Sequence, residues 1–277
     1  MRAIILAAGQ GKRLIPHTNS KPKAMLEFGN KPLIQYSIDN LRKVGIADIT
    51  IITGYKSEMI NIPNVRYIHN EKFAETNMVY TLFCAEAVMD DNLIISYSDI
   101  IFEPKVLQKL LQSKDEITVV VDDNWQELWE LKSNNPLNDA ETLRLNKKNY
   151  ILEIGAKPKD LNQIDSQYIG LLKFSKKGIR ILKKIYHELK DANRQEIVIR
   201  GRTFNQLYMT DVLQLLIDNG HKVKGVRIKG GWLELDSKEE YEKLLDMYKE
   251  GKLNHLCDLA GITNRKKGDR LESTKIA

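Results

Sequence analysis

Short runs rich in isoleucine, valine, leucine and alanine recur along the first half of the chain, at 3–8, 49–54, 93–97 and 117–121, and Val65 to Ile68 reads as a further strand. Runs of this length and composition read as strands buried on both faces. Between them lie stretches with helical periodicity. Pro32 to Gly45 carries apolar residues at 33, 34, 38, 41 and 44 and ends on a glycine suited to a C-cap. Val79 to Met89 and Pro104 to Gln112 are read as further helices. The alternation predicts an α/β fold, a Rossmann-like, mostly parallel mixed sheet with helices on both faces. In such sheets ligands sit at the carboxyl ends of the strands.

The second half repeats the pattern less regularly. Tyr168–Phe174, Val223–Ile228 and Trp232–Leu235 are read as strands, and Lys176–Lys190 and Tyr208–Asn219 as helices. Ser237-Lys-Glu-Glu240 is a capping-box signature, so Asp236 precedes the start of a helix running to about Lys249. The pattern loosens over 124–167, read as a small inserted acceptor-side region, with a strand from Tyr150 to Gly155 that leads to Lys157. Residues 194–202 read as a polar, mobile connection. The expected division is a domain over 1–250 and a C-terminal extension over 251–277, with a short helix and a frayed end.

Totals narrow the class. At 277 residues and 42% hydrophobic, the chain can fill a substantial core. No run approaches the ~18 apolar residues of a membrane span, so no membrane insertion and a cytoplasmic location are expected. The net charge is +6, but residues 249–277 alone carry seven Lys/Arg against four Asp/Glu, half of that excess. The rest is mildly cationic, as suits a pocket for small polyanions, and no nucleic-acid partner is expected. Cys84 and Cys257 have no metal-ligand spacing and are read as reduced thiols, Cys84 as the buried one.

The first run breaks at Gly9-Gln10-Gly11 into Lys12 and Arg13, with Lys23 following. Glycines let backbone N–H groups approach an anion, and the cations neutralise it. Neither the P-loop spacing nor the third glycine of a dinucleotide fingerprint is present. Leu6-Ala7-Ala8-Gly9-Gln10-Gly11-Lys12-Arg13-Leu14, then Pro16, Thr18, Lys21-Pro22-Lys23-Ala-Met-Leu26 and Lys31-Pro32-Leu33-Ile34 resemble the signature of nucleotidyltransferases that activate phosphorylated sugars or headgroups. The likeness continues through Thr76-Asn77-Met-Val-Tyr80, Tyr97-Ser98-Asp99-Ile100, Asn135-Pro136, Asp139-Ala-Glu141, Tyr168-Ile169-Gly170, Tyr208-Met-Thr210-Asp211 and Gly230-Gly231-Trp232-Leu-Glu-Leu-Asp236. This later pattern is more similar to CTP cytidylyltransferases acting on phosphocholine, 2-aminoethylphosphonate and related phospho-acids.

The resemblance implies that the 6–14 loop wraps CTP, that Arg13 contacts its phosphates and that Lys23 meets the α-phosphate. It brings Thr76 and Asn77 towards the base and ribose, with Ser98, Gly54 and Tyr55 in the same pocket, and Lys157 against the acceptor phosphate. Tyr168 and Trp125 are the other acceptor candidates; a stacking role for Trp125 and Trp129 competes with plain packing. Arg200 and Arg202 are candidates for clamping an anionic group. Asp99 and Asp236 each follow an expected strand and can reach one sheet edge, where they are expected to hold Mg²⁺. Asp122 and Asp123 form a rival acidic pair with a turn or acceptor-site role, and Asp211 is read as a first-turn helix residue. The acceptor is a small phosphate or phosphonate compound, and a homodimer is compatible with the pattern. A sugar-1-phosphate uridylyl- or thymidylyltransferase, or a non-catalytic nucleotide-binding protein, would share the opening motif.

Overall fold

The computed structural model describes residues 1–132, 135–192 and 197–259. Its central sheet uses β1 (Arg2–Ala7), β2 (Ile49–Thr53), β3 (Arg66–His69), β4 (Leu93–Tyr97), β6 (Ile117–Asp122), β9 (Gln167–Phe174) and β12 (Lys224–Ile228), with β5 (Ile100–Phe102), β7 (Leu143–Leu145) and β8 (Ile151–Ile154) outside it. The order across the sheet is β12-β6-β9-β4-β1-β2-β3. β1 pairs parallel with β2 and β4, and β12 parallel with β6. β9 lies antiparallel between β4 and β6, so the sheet is mixed at its centre.

Strand alternation builds two cores. Ala3, Ile5 and Ala7 point to one face, where α1 (Leu33–Lys43) and α3 (Pro104–Gln112) pack. Ile4 and Leu6 point to the other, against α2 (Met78–Phe83), α5 (Lys176–Ala192) and α6 (Met209–Asp218). The helix expected over 79–89 is shorter: α2 closes at Cys84 and a single 3₁₀ turn follows at Glu86–Val88. The expectation that Cys84 is the buried thiol is corrected, since Cys257 is buried and Cys84 is half-buried.

The loosely patterned 124–167 region contains α4 (Trp125–Lys132) and the β7–β8 antiparallel pair. The 194–202 stretch, expected as a mobile connection, contains β10 (Ile197–Ile199), paired antiparallel with β11 (Arg202–Thr203); residues 193–196 lie outside the described residues. The beginning of the expected C-terminal extension packs into the core through Leu253, Leu256, Cys257 and Leu259. The rest of it, 260–277, lies outside the described residues. Among the described residues no helix is long and apolar enough to cross a membrane.

One late segment determines the site. β13 (Trp232–Glu234) pairs antiparallel with β5, with Glu234 opposite Ile100, and the Leu235 N–H donates to the Asp99 carbonyl at 3.3 Å. Buried Asp122 pins this segment to the end of β6: it accepts from the Gly230 N–H at 2.8 Å, the Trp232 indole N–H at 2.8 Å and the Asn124 N–H at 3.0 Å. Burial still holds the Asp122 carboxyl above its ordinary range, against those three donors. Asp123 is tied to Ser166 and to Arg227. Of the turn and acceptor-site roles weighed for this pair, its contacts are those of a turn. Trp232→Phe would leave one buried Asp122 oxygen without its donor, and is expected to lose about 1–3 kcal/mol of stability in urea unfolding. Unchanged unfolding would show that the indole bond does not hold the hairpin.

Candidate active site

Two connected recesses open at the carboxyl ends of β1 and β4. The smaller, about 170 Å³, is lined by Leu6, Ala8, Gly9, Phe73, Thr76, Asn77, Thr81, Ser98 and Asp99 among others. The larger, about 670 Å³, has Gly11, Lys12, Arg13, Trp129, Glu141, Tyr168, Tyr208 and Asp236 on its walls. Lys23, Asn77, Met78 and Tyr97 border both. A group bridging the recesses would therefore pass Lys23.

The local sequence explains these positions. Gly11 sits at φ 74°, and a Cβ there would lie 2.9 Å from the Lys23 Cβ. Glycine is required twice, by conformation and by the lysine stem lying against it. Thr18 Oγ1 donates to the Gly11 carbonyl at 2.9 Å and fixes the loop. Gly54 lines neither recess. A Cβ on it would meet the Ala8 carbonyl oxygen and the Phe73 Cβ, each at 2.6 Å, so Gly54 allows the 53–55 turn to back the loop after β1. Gly54→Ala is expected to raise the nucleotide KM several-fold and cost about 1–3 kcal/mol, because backbone on one side cannot yield; steady-state kinetics and thermal unfolding check both. Asn77 caps α2 by accepting from the Met78 N–H at 2.9 Å, and Thr76 Oγ1 donates to the Lys72 carbonyl at 2.7 Å. Capping and cavity lining thus coexist in this pair.

At the junction, Lys23 Nζ contacts Asp99 Oδ2 at 2.6 Å and is hydrogen-bonded to Asp236 Oδ1. Arg13 reaches Asp236 at 3.2 Å and Asp139 at 3.6 Å. Burial alone would depress the Lys23 ammonium, but Asp99 and Asp236 outweigh it and hold the ammonium above its usual value. Lys23 is charged at any working pH.

The donor set fits a small hard cation. Asp99 Oδ1 is buried with no hydrogen-bond partner, an open carboxylate oxygen beside Asp236. Among the described residues no group of three or more His, Cys, Asp or Glu side chains could hold a metal. A divalent ion here would rest on Asp99 and Asp236 and take its other ligands from phosphate and water, the habit of Mg²⁺.

The structure brings together Arg13, Lys23, Asp99 and Asp236, with Leu6, Ala8, Gly9, Gly11, Lys12, Thr76, Asn77, Ser98 and Tyr168 around them. Ala7 is in the core, and Gln10 is half-buried on the loop outside both linings. Two acceptor candidates lie elsewhere. Trp125 is buried in the core and absent from the recess walls; of the two tryptophans considered for stacking, its edge-to-face neighbour Trp129 is the one that lines the larger recess. Lys157 donates to the Leu137 and Asn138 carbonyls at 2.6 Å each and is absent from the recess walls. Asp211, as expected, is a first-turn residue: it accepts from the Tyr208 N–H and pairs with Arg202. Sequence reasoning assigned no role to Tyr97, Asp139, Glu141, Gln167, Tyr208, Thr210 or Glu234, all on the larger recess. For Glu234 a signal existed, since a residue two before Asp236 on a strand shares its face.

A glycine loop after the first strand, a lysine at the junction of two recesses and two carboxylates from distant strand ends define a nucleotidyltransferase-type sheet edge. Residues 3–152 match the MobA-like NTP transferase domain family, and the chain belongs to it. The chain is similar to the CTP:phosphoglutamine cytidylyltransferase of Campylobacter jejuni, at 40% identity over 255 residues, which cover 87% of this chain and 98% of that protein. It is also similar to the choline-phosphate cytidylyltransferase of Streptococcus pneumoniae, at 38% over 117 residues, 41% of this chain and 51% of that protein. The inositol-1-phosphate CTP transferase of T. maritima shares the fold, with a TM-score of 0.67 at 23% identity over 90% of this chain and 96% of that one. The protein is a nucleotidyltransferase.

Proposed function

We propose that the protein is a Mg²⁺-dependent cytidylyltransferase that moves CMP from CTP to a small phosphate- or phosphonate-bearing acceptor and releases pyrophosphate. The observation that carries this reading is Lys23, buried between Asp99 and Asp236 on the border that the two recesses share. The relatives at 40% and 38% identity, both named as cytidylyltransferases, support CTP as the donor.

In this reading the smaller recess takes the cytidine and the larger takes the acceptor. An acceptor phosphate oxygen attacks the α-phosphorus of CTP, the bond to the bridging β-oxygen breaks, and pyrophosphate leaves with that electron pair. The nucleophile is already an anion near neutral pH, so no general base is needed and catalysis rests on positioning and charge neutralisation. Lys23 exchanges its carboxylate partners for the α-phosphate and stabilises the charge that grows there. Arg13 lies on the same wall and offers a forked donor to phosphate oxygens. Asp99 and Asp236 would hold Mg²⁺, which neutralises phosphate charge when bound.

Pyrophosphate release is to be followed with each nucleoside triphosphate against phosphocholine, 2-aminoethylphosphonate and sugar 1-phosphates. CTP with a headgroup acceptor is the expected productive pair. Turnover of sugar 1-phosphates with UTP or dTTP, and none with CTP, would contradict the reading.

A further inference from the structure

The start of the C-terminal extension does more than fill the core. α7 (Lys238–Lys249) ends in a turn where Gly251 sits at φ 70° and the Lys252 N–H donates to the Met247 carbonyl at 2.9 Å. The chain reverses there, and residues 253–259 return to the β5–β13 pair. Leu253, Leu256, Cys257 and Leu259 share one core with Ile101, Phe102, Trp232 and Leu233.

β5 and β13 form a ribbon of three residues each. Asp99 precedes β5 and Asp236 follows β13, so both carboxylates stand at one end, where the Leu235 N–H reaches the Asp99 carbonyl. At the other end Glu103 meets Gly231: the Glu103 N–H donates to the Gly231 carbonyl at 2.9 Å. The returning chain is fastened here. The Gly231 N–H donates to the Leu256 carbonyl at 2.7 Å, and the Asp258 N–H donates to Glu103 Oε1 at 3.1 Å. Glu103 Oε2 pairs with Lys105 at 2.7 Å. Gly231 sits at φ 81°, and a Cβ on it would lie 3.1 Å from the Lys105 Cε and 3.2 Å from Glu103 Oε1, so these side chains pack directly on the turn.

A two-stranded ribbon is marginal by itself. A slip of one residue in its register would displace Asp236 by about 3.3 Å and turn it to the opposite face. A cation resting on two carboxylates tolerates only about 0.5 Å of misplacement. The ribbon therefore depends on what holds its far end. Asp122 holds Gly230 and Trp232, and the returning chain holds Gly231 between them. We propose that Glu103, through its bond to the 253–259 segment, positions Asp236 against Asp99, which makes the C-terminal segment a working part of the metal side of the site. Glu103 lines neither recess and acts through the ribbon alone. The inference rests on the transferase reading above.

The test uses the full chain and three variants: Glu103→Ala, Glu103→Gln and Leu182→Ala. Two quantities are measured, the Mg²⁺ concentration for half-maximal turnover at saturating CTP, and the extra rise in melting temperature that Mg²⁺ gives on top of CTP. Glu103→Ala should raise the half-maximal Mg²⁺ concentration about 10-fold, the usual effect of losing support behind a metal ligand, and reduce the extra rise in melting temperature by at least about half. Its KM for CTP should stay within about two-fold, because residues 100–103 and 230–235 are absent from the smaller recess. Glu103→Gln keeps a carbonyl oxygen that can accept the Asp258 N–H, so it should restore both quantities to within about two-fold of the wild type. Leu182→Ala opens a cavity in the core on the other face of the sheet, and should lower the melting temperature while leaving the half-maximal Mg²⁺ concentration in place. A less stable Glu103→Ala with wild-type Mg²⁺ dependence would overturn the proposal, since the segment would then only pack. Equal losses in Glu103→Gln and Glu103→Ala would also overturn it, as would the same Mg²⁺ shift in Leu182→Ala. No CTP turnover by the wild type with any acceptor would overturn the transferase reading, and the melting-temperature comparison would still decide whether Glu103 supports the two carboxylates.

Discussion

Lys23→Ala is expected to lower kcat about 100- to 1,000-fold, the usual effect of removing one preorganised charge from a developing oxyanion. The KM for CTP should move far less, because the glycine loop and the Thr76–Asn77 segment line the smaller recess independently of that ammonium. Lysine to arginine should not rescue it. The Lys23 ammonium sits between Asp99 and Asp236, and a planar fork does not reproduce a compact point charge at that position. A second readout comes from the metal side. Without Lys23, Asp99 and Asp236 face each other across the position of the lost cation, so the apo variant should melt below the wild type. Mg²⁺ should raise its melting temperature more than that of the wild type, as a divalent ion takes over the neutralising role. Undiminished turnover, or equal Mg²⁺ stabilisation of both proteins, would contradict these roles.

Asp236→Asn is expected to cost at least about 100-fold in turnover, with a higher Mg²⁺ requirement. This residue contacts both Lys23 and Arg13, so the change removes a metal ligand and releases two cations at once. Raising Mg²⁺ should recover part of the loss and none of the Lys23→Ala loss. Wild-type turnover at the same Mg²⁺ concentration would mean that Asp236 is only a structural counter-ion. The two variants also share partners, so their effects should not add in the double variant.

Much of this site is legible in the chain because strand ends are. Apolar runs ending at Ala8, Gly54 and Asp99 deliver those residues to one sheet edge whatever the details of pairing. Asp236 needed one further inference, that a short strand precedes its helix, and β13 against β5 is that strand. What the pattern does not encode is tertiary. Nothing in 167–174 marks it as antiparallel, since a strand buried between two others is equally apolar in either direction. Trp125 and Trp129 are four apart on one helix, and only packing against Trp232, 6.2 Å from Trp129, decides which indole borders the cleft. The family resemblance implied that Lys157 meets the acceptor phosphate, but two nearby carbonyls capture its ammonium. Glu141 was hidden for a similar reason. A lone glutamate after Asp139-Ala140 reads as solvated until Gln167, Thr210 and Asp211, all from later elements, enclose it.

The most direct measurement follows the phosphorus atoms. With Mg²⁺ and a phosphate-bearing acceptor, α-labelled CTP should place its label in a CMP-linked product, and γ-labelled CTP should place its label in pyrophosphate, in equal amounts. Label from the γ position released as inorganic phosphate, or no acceptor-dependent transfer of the α label, would contradict attack at the α-phosphorus and with it the role assigned to Lys23.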